Sequence, residues 1–212
     1  MPVTTNVYID AFNLYYGCLK GTPYRWLDLA SLCRKLLPGD HINRIRYFTA
    51  EVNAWPGNPH APLRQNLYLR ALGTLPEVDI HYGYFLTSVV QMRLAHPIGL
   101  AQTVEVVKTE EKGTDVNLAS HLLVDACRRD CDVAVVITND SDLAEPIRLA
   151  QSEFGVPVGL VYPRRRGGPS PTLLATNPLF YKRIREGVLR YSQFPEEMKD
   201  GQGTFRRPAQ WR

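Results

Sequence analysis

The stretch Val133-Ala134-Val135-Val136-Ile137-Thr138-Asn139-Asp140-Ser141-Asp142 decides the fold that we predict. Its apolar residues run continuously and do not alternate with polar ones, which is typical of a central strand covered on both faces. Asp140 and Asp142 follow this strand directly, on either side of Ser141. A helix cap with one acid in the first turn explains one of these aspartates more easily than two. The stretch therefore predicts a site at the end of a buried strand.

Two more aspartates have comparable positions. Asp10 ends the apolar run Val7-Tyr8-Ile9, and Asn13 follows three residues later. Asp115 opens a predicted helix for which Thr114 is the expected cap. Each of them alone has a structural explanation, because Asp and Asn favour turns and helix starts. Carboxylates that follow buried strands and begin helices can converge at one edge of a parallel sheet, where open α/β folds bind ligands.

The rest of the chain alternates predicted strands with predicted helices, which favours a mostly parallel sheet with helices on both faces. Residues 53–62 contain three prolines and predict a loop. Residues 86–101 fit neither pattern and are interpreted as an inserted flap, and the last twenty residues are expected to run over the surface. The predicted strands are 6–10, 42–49, 78–85, 103–109, 132–138 and 156–162; the predicted helices are 26–37, 63–75, 115–129, 141–154 and 178–186.

Length and composition favour a globular protein of one domain. A chain of 212 residues with 44% hydrophobic and 22% charged residues is able to bury a full core. No run approaches the ~18 apolar residues that cross a bilayer, so we expect no membrane partner. The first residues lack the basic and apolar regions of a secretory signal. These features predict a cytoplasmic location.

The net charge of +4 is unevenly distributed along the chain. From Pro163 onward there are 11 Lys and Arg against 4 Asp and Glu, which leaves 14 against 17 in residues 1–162. The basic part includes the predicted mobile loop Arg164-Arg165-Arg166. An acidic body with a basic flank suits a phosphate-rich polymer that must approach a metal site. A solvated basic tail is the alternative.

The aspartates predict a divalent metal. Four carboxylates at one edge would raise each other's pKa values, because like charges at close range disfavour ionisation. Mg²⁺ prefers carboxylate and water oxygens, and such an ion can polarise a phosphodiester and activate water. Other classes fit less well. No glycine-rich loop follows the first strand, Phe12 stands where an aspartyl phosphatase needs a second acid, and the five histidines lack ligand spacing.

Three segments together resemble the NYN domain proteins, the bacterial LabA-like branch of the PIN-like nuclease superfamily. They are Tyr8-Ile9-Asp10-Ala11-Phe12-Asn13-Leu14-Tyr15-Tyr16-Gly17, Lys108-Thr109-Glu110-Glu111-Lys112-Gly113-Thr114-Asp115-Val116-Asn117 and Thr138-Asn139-Asp140-Ser141-Asp142-Leu143. The resemblance implies a Rossmann-like three-layer α/β/α sandwich over residues 1–190, followed by a surface extension over 191–212. It also implies metal-dependent endoribonuclease chemistry. Ala11 and Asn139 depart from the glycines common at these positions, but neither change removes a carboxylate.

The resemblance also implies roles for individual residues. The acidic Mg²⁺ or Mn²⁺ site would be formed by four aspartates, and Asn13 would orient the first of them. Thr138, Asn139 and Ser141 would line the substrate pocket. Apart from the resemblance, the positive charges of Lys112 and of three arginines make these residues candidates for phosphate contacts. The four metal-binding residues are Asp10, Asp115, Asp140 and Asp142; the three arginines are Arg164, Arg165 and Arg166.

The leading hypothesis is therefore a Mg²⁺- or Mn²⁺-dependent nuclease that prefers single-stranded RNA. Tyr15, Tyr16 and Trp55 are candidates for stacking on unpaired bases. Single-stranded DNA is an alternative substrate, and the sequence allows a homodimer. The competing hypothesis is a non-catalytic nucleic-acid-binding or protein-interaction module that retained the fold.

Overall fold

A computed structural model of the protein describes residues 2–98 and 101–211. A π-helical turn over Tyr15–Leu19 continues the first helix, and a 3₁₀ turn over Ser141–Leu143 precedes the fifth. The strands are β1 (Thr4–Asp10), β2 (His41–Thr49), β3 (Val78–Tyr82), β4 (Tyr84–Ile98), β5 (Ala101–Lys112), β6 (Val133–Ile137), β7 (Val158–Tyr162), β8 (Tyr181–Arg183), β9 (Glu197–Asp200) and β10 (Gly203–Arg206). The α-helices are α1 (Ala11–Leu14), α2 (Leu29–Leu36), α3 (Ala61–Leu72), α4 (Thr114–Arg128), α5 (Ala144–Ser152), α6 (Pro171–Leu174) and α7 (Glu186–Arg190).

Six strands form the central sheet in the order β3-β2-β1-β6-β7-β8, and every pair of neighbours is parallel. Adjacent residues of β1 point to opposite faces, and both faces are buried. Val7 and Ile9 pack with α2 and α3, whereas Tyr8 packs with α4 and α5. This arrangement confirms the predicted three-layer α/β/α sandwich. None of the helices in the described part of the chain combines the length and apolar character that a membrane crossing requires.

A buried ion pair connects the centre of the sheet to α4. The guanidinium of Arg46 donates two hydrogen bonds to Asp125, at 2.7 and 2.9 Å, and the hydroxyl of Tyr8 donates a third at 2.9 Å. Arg46 also contacts Nε2 of His81 at 3.1 Å, and the rings of His81 and His121 lie 4.0 Å apart. Burial, followed by the positive charges of the neighbours, lowers the pKa of His81 to about 4. These two histidines are thus packing residues on the face of α4.

Residues 86–98 of the predicted flap belong to β4, which pairs antiparallel with β5, the strand that contains the predicted strand 103–109. The two strands form a hairpin, and their sheet is separate from the central one. The predicted strand 78–85 is interrupted at Gly83, where a Cβ atom would lie 2.5 Å from the carbonyl oxygen of Lys112. Residues 99 and 100 of the predicted flap lie outside the described residues. Exposed apolar residues line the hairpin, including Leu86, Val89 and Val107.

The predicted helix over 178–186 is wrong. Residues Tyr181–Arg183 form β8 at the edge of the sheet, and helical residues occur only on either side of it, in α6 and α7. The carbonyl of Phe180 accepts a hydrogen bond from Leu160 at 2.8 Å. Gly159 lets the Phe180 ring approach β7, since a Cβ atom there would lie 2.3 Å from it. Pairing with β7 therefore overrides the local helical pattern.

The predicted surface course of residues 191–212 is also wrong for the aromatic residues in this segment. Phe194, Phe205 and Trp211 are buried, and their rings lie 5.8, 6.4 and 6.2 Å from that of Trp26. Aromatic side chains of this size gain more from burial than the surrounding Pro, Gly and charged residues gain from exposure. The segment thus completes the core beside α2, and the boundary at residue 190 stays a prediction.

We expect the substitution Asp125→Asn to lower the free energy of unfolding by about 3 kcal/mol, because it leaves the buried Arg46 with only the longer 3.8 Å ion pair with the carboxylate of Asp79. Urea denaturation followed by circular dichroism measures this change. Arg34→Gln is the matched control. It breaks an ion pair with Glu77 whose arginine side chain is 58% exposed, so we expect a loss below about 1 kcal/mol. Equal losses in both variants would contradict a structural role for the Arg46–Asp125 pair.

Candidate metal and nucleic-acid site

The candidate site lies where the strand order reverses. From β1 the chain continues to β2 on one side, whereas from β6 it continues to β7 on the other side. The gap between two such strands at their carboxyl ends is the usual ligand position in open α/β sheets. Asp10 ends β1, and Asp140 follows β6 by three residues. The fold therefore brings together two aspartates that are separated by 130 positions in the sequence.

Thr138 joins the two strand ends through its side chain. It is fully buried; its hydroxyl donates to Asp10 at 3.0 Å and accepts from the backbone N–H of Asp140 at 3.1 Å. Asp10 also caps α1 by accepting from the backbone N–H of Asn13 at 2.9 Å. Burial raises the pKa of Asp10, these hydrogen bonds oppose the shift, and the negative charge of Asp140 adds to it. The carboxylate of Asp10 is thus fixed in position before any ligand binds.

Asn13 and Asn139 hold neighbouring loops together. The side-chain oxygen of Asn13 accepts from the backbone N–H of Asn139 at 3.1 Å, and that of Asn139 accepts from the backbone N–H of Ser170 at 2.9 Å. Asn139 is only 7% exposed. Asn139 therefore connects two loops through these hydrogen bonds. Its contact with substrate stays a prediction.

Asp140 and Asp142 have unequal positions. Asp140 caps the 3₁₀ turn by accepting from the backbone N–H of Asp142 at 3.1 Å, and its side chain faces the site. Asp142 and Ser141 are exposed and lie outside the lining of the cavity. Asp142 still contributes negative charge to the site, because it raises the pKa of Asp115.

Asp115 enters the site from the first turn of α4. The expected cap at Thr114 is wrong: Gly113 is the capping residue, with a φ of 93° that favours glycine, and Thr114 is buried in the helix. The backbone N–H of Thr114 donates to the carboxylate of Glu111 at 2.9 Å. Burial, with the negative charges of four neighbouring carboxylates, raises the pKa of Asp115 to about 6. In decreasing order of effect these neighbours are Asp10, Asp140, Glu111 and Asp142.

These groups surround a cavity of about 560 Å³, which we call the acidic cavity. The hairpin supplies one wall, where the Phe85 ring packs edge-on against Phe12 at 5.7 Å. The sequence motifs contained Phe12 and Glu111 without identifying them as site residues, whereas Tyr16 was already a candidate for base stacking. No sequence signal marked Phe85, because only the path of the hairpin brings it to the site. The lining residues are Asp10, Phe12, Asn13, Tyr16, Gly17, Phe85, Glu111, Thr114, Asp115, Asp140 and Arg164.

The predicted phosphate contacts are distributed over three places. Arg164 lines the acidic cavity, whereas Arg165 and Arg166 line a neighbouring one. Lys112 is exposed outside both linings, with its Nζ 3.4 Å from Glu110. Of the aromatic candidates for stacking, Tyr16 is 62% and Trp55 60% exposed.

The donor set fits a partly hydrated divalent ion. Within residues 2–98 and 101–211, no group of three or more His, Cys, Asp or Glu side chains is close enough to hold a metal as it stands. Mg²⁺ seldom requires such a group, because it is usually held by one or two carboxylates and keeps several waters. Asp10, Asp140 and Asp115 offer only hard oxygen atoms around one cavity. The negative charges that raise the pKa of Asp115 are those that a cation would neutralise.

The fold and this acidic switch point define an α/β protein of the PIN-like type. A family model for the NYN domain matches residues 4–181, so the chain belongs to the NYN domain family within the PIN-like nuclease superfamily. Members of this family generally bind nucleic acids and use divalent metal ions. The assignment to the LabA-like branch and to bacteria stays a prediction.

Individual proteins that resemble the chain include an enzyme and a protein of known structure. The 6-hydroxy-3-succinoylpyridine 3-monooxygenase HspA of Pseudomonas putida is 30% identical to this chain over an alignment 237 residues long. The alignment covers 99% of this chain and 76% of that protein. The crystal structure of a Vibrio parahaemolyticus protein of unknown function matches with a TM-score of 0.55 at 14% identity. That match covers 87% of this chain and 94% of the other, and it confirms the fold alone.

The raised pKa of Asp115 predicts a pH-dependent stability in metal-free buffer. The folded protein holds the Asp115 proton more tightly than the unfolded chain does. Ionisation of this carboxyl therefore destabilises the folded state progressively from about pH 4 to pH 6, and the loss of stability is constant at higher pH. Asp115→Asn removes the charge. We expect the variant to gain stability relative to wild type as the pH rises. After allowance for solvent screening at this half-exposed group, the difference between the two melting temperatures should grow by roughly 2–4 °C from pH 4.5 to pH 7.5.

Differential scanning calorimetry in EDTA measures this change. The control Glu153→Gln removes an exposed carboxylate beyond the end of α5, outside the acidic cavity, and its difference from wild type should stay constant with pH. A constant difference for Asp115→Asn over the same range would mean that neither burial nor the neighbouring carboxylates raise the pKa of Asp115.

Proposed function

We propose that the protein is a Mg²⁺- or Mn²⁺-dependent endoribonuclease that hydrolyses phosphodiester bonds of single-stranded RNA. The observation that carries this proposal is the convergence of Asp10, Asp140 and Asp115 on one cavity at the switch point of the sheet. Burial, followed by the negative charges of the neighbouring carboxylates, raises the pKa of Asp115, and a cation in the cavity would neutralise these charges. Membership of the NYN family supports phosphodiester chemistry over other uses of an acidic cavity.

The carboxylates have distinct proposed roles. Asp10 and Asp140 are the principal metal ligands, since hydrogen bonds through Thr138 hold both at the strand ends. Asp115 is the third ligand. Asp142 lies outside the lining of the acidic cavity and orients the three carboxylates. When bound, the ion would polarise the phosphate and lower the pKa of a water molecule. Asn13 keeps the Asp10 carboxylate in place through its backbone N–H.

Features around the cavity support a single-stranded substrate. Arg164 at the lining supplies a cation for a phosphate next to the cleaved bond. The exposed ring of Tyr16 lies in the same lining, and the ring of Trp55 lines an adjoining cavity with it. Exposed aromatic faces stack on unpaired bases and not on bases within a duplex. Single-stranded DNA offers the same contacts except those to the 2′-hydroxyl and remains the alternative substrate. Residence in the cytoplasm and a homodimer stay predictions.

Two other functions compete with this proposal. The first is a non-catalytic module that binds RNA or a protein through the retained fold. The second is oxygenation of a small aromatic acid, which the name of the Pseudomonas putida relative suggests. No glycine-rich dinucleotide-binding loop follows β1 in this sequence, which favours the nuclease.

The cleavage assay uses 5′-labelled single-stranded RNA with Mn²⁺. We expect Asp10→Asn and Asp140→Asn to lower the single-turnover rate at least about a hundredfold, because each removes a carboxylate that would hold the ion beside the reacting phosphate. Asp132→Asn, an exposed acid at the opposite end of β6, should cleave like wild type. Cleavage at the wild-type rate by all variants would indicate a contaminating nuclease and refute the assignment. Conversion of 6-hydroxy-3-succinoylpyridine without any RNA cleavage would favour the oxygenase.

Metal binding has a readout that does not depend on cleavage. A ligand that binds only the folded state raises the melting temperature, so we expect a rise of several degrees with millimolar Mn²⁺ for wild type and none for Asp10→Asn/Asp140→Asn. The control Asp132→Asn should show the full rise. If wild type melts at the same temperature with and without Mn²⁺ but still binds RNA, the non-catalytic module is the better description.

A further inference from the structure

A second cavity of about 800 Å³ adjoins the acidic cavity, and Gly17 and Arg164 line both. Two separate segments supply its arginines: the loop after β7 and the end of β8 with the residues that follow. We call it the arginine cavity. Its five arginines are Arg164, Arg165, Arg166, Arg183 and Arg185.

The arginine cavity has an uncompensated positive charge. Glu186 is the single carboxylate in its lining, and the hydroxyl of Tyr24 donates to it at 2.8 Å. None of the five guanidinium groups forms an ion pair with a carboxylate among the residues that the structure describes. Positive charges gathered without partners repel one another, and a bound anion relieves this repulsion. Guanidinium groups are also the side chains best suited to bidentate contacts with phosphate oxygens.

Buried apolar side chains form part of the lining. Cys18, Ile184 and Leu189 are exposed by 1, 4 and 3% respectively and belong to the core beneath the arginines. The charge of Arg165 lies close enough to the thiol of Cys18 to oppose the rise in its pKa that burial causes. The cavity thus combines a rim of exposed cations with a floor on the core.

The junction between the two cavities is rigidly built. Gly17 lies in the π-helical turn, a distortion that is often found at functional sites. A Cβ atom at Gly17 would lie 1.7 Å from the carbonyl oxygen of Pro163, so only glycine permits this approach. The backbone N–H of Arg165 donates to the carbonyl of Gly17 at 3.3 Å. The first residues of the loop after β7, which carries Arg164 to Arg166, are therefore attached to the segment that also contains Asp10 and Asn13.

We infer that the arginine cavity binds a phosphomonoester, namely the terminal phosphate of the nucleic-acid strand whose cleaved bond lies in the acidic cavity. A phosphomonoester carries a charge of about −2 near neutral pH, whereas each internal phosphodiester carries only one negative charge. Five arginines around one floor match the larger, concentrated charge. The inference rests on the proposed function for the position of the cleaved bond. A mononucleotide or inorganic phosphate carries the same group, and the test separates these sources.

The test measures binding in EDTA, where the proposed cleavage does not occur. Fluorescence anisotropy gives the Kd of internally labelled ten-nucleotide single-stranded RNAs with a 5′-phosphate, with a 3′-phosphate or with hydroxyl groups at both ends. For wild type we expect one phosphorylated RNA to bind about tenfold more tightly than the hydroxyl-ended RNA, as charge-assisted hydrogen bonds of this kind require. Arg183→Gln/Arg185→Gln should abolish this preference without changing the melting temperature, because both side chains are exposed.

The matched control is Arg128→Gln/Arg148→Gln, which removes the same charge from exposed positions outside the cavity. It should keep the tenfold preference. Equal Kd values of wild type for phosphorylated and hydroxyl-ended RNAs would overturn the inference, as would loss of the preference in the control. AMP and inorganic phosphate serve as competitors. If either displaces the labelled RNA at a concentration equal to the Kd of the phosphorylated RNA, the cavity is a site for free phosphate and the strand-end assignment is refuted.

The two proposals can fail separately. A preserved phosphate preference without cleavage in Mn²⁺ would refute the nuclease and leave the arginine cavity as a strand-end site. Cleavage by wild type without any preference for a phosphorylated end would support the nuclease and refute the arginine cavity.

Discussion

Repulsion among the carboxylates at the switch point is the constraint on which the site depends. Asp10, Asp140 and Asp115 face one cavity, and burial together with the neighbouring negative charges raises the pKa of Asp115 to about 6. A protein tolerates such a cost when the surrounding structure is strong enough to hold the groups in place. In this fold the buried Arg46–Asp125 pair and the parallel strands β1, β2 and β6 supply that framework.

The hydrogen bonds at the strand ends convert this framework into a defined site. Thr138 contacts the groups of both strand ends, and Asn13 and Asn139 connect the loops behind them. These contacts fix the Asp10 carboxylate and the Asp140 backbone before an ion arrives. Carboxylates that are already held in place lose less conformational entropy when an ion binds. A site with few direct ligands can therefore still favour one geometry.

Charges of opposite sign lie side by side on this edge of the sheet. The acidic cavity suits a cation, the arginine cavity suits phosphate, and Gly17 fixes their separation through its contact with Pro163. A phosphate polymer bound across both would place one phosphate near the aspartates and another among the arginines. Such an arrangement orients a flexible strand at the position of reaction, which is a large part of what an enzyme contributes to a bond cleavage.

The sequence by itself determined the elements whose signals are local. The continuous apolar run 133–137, the aspartates after it and the alternation of strands and helices predicted the parallel sheet and the edge at which Asp10 and Asp140 meet. Only the tertiary structure decided features that depend on contacts between distant segments. Pairing with β7 made a strand of residues that resemble a helix, and burial around Trp26 drew the C-terminal aromatics into the core. Likewise, the hairpin brought Phe85 to the site and two segments joined five arginines, because periodicity records the neighbours along the chain and not those across the fold.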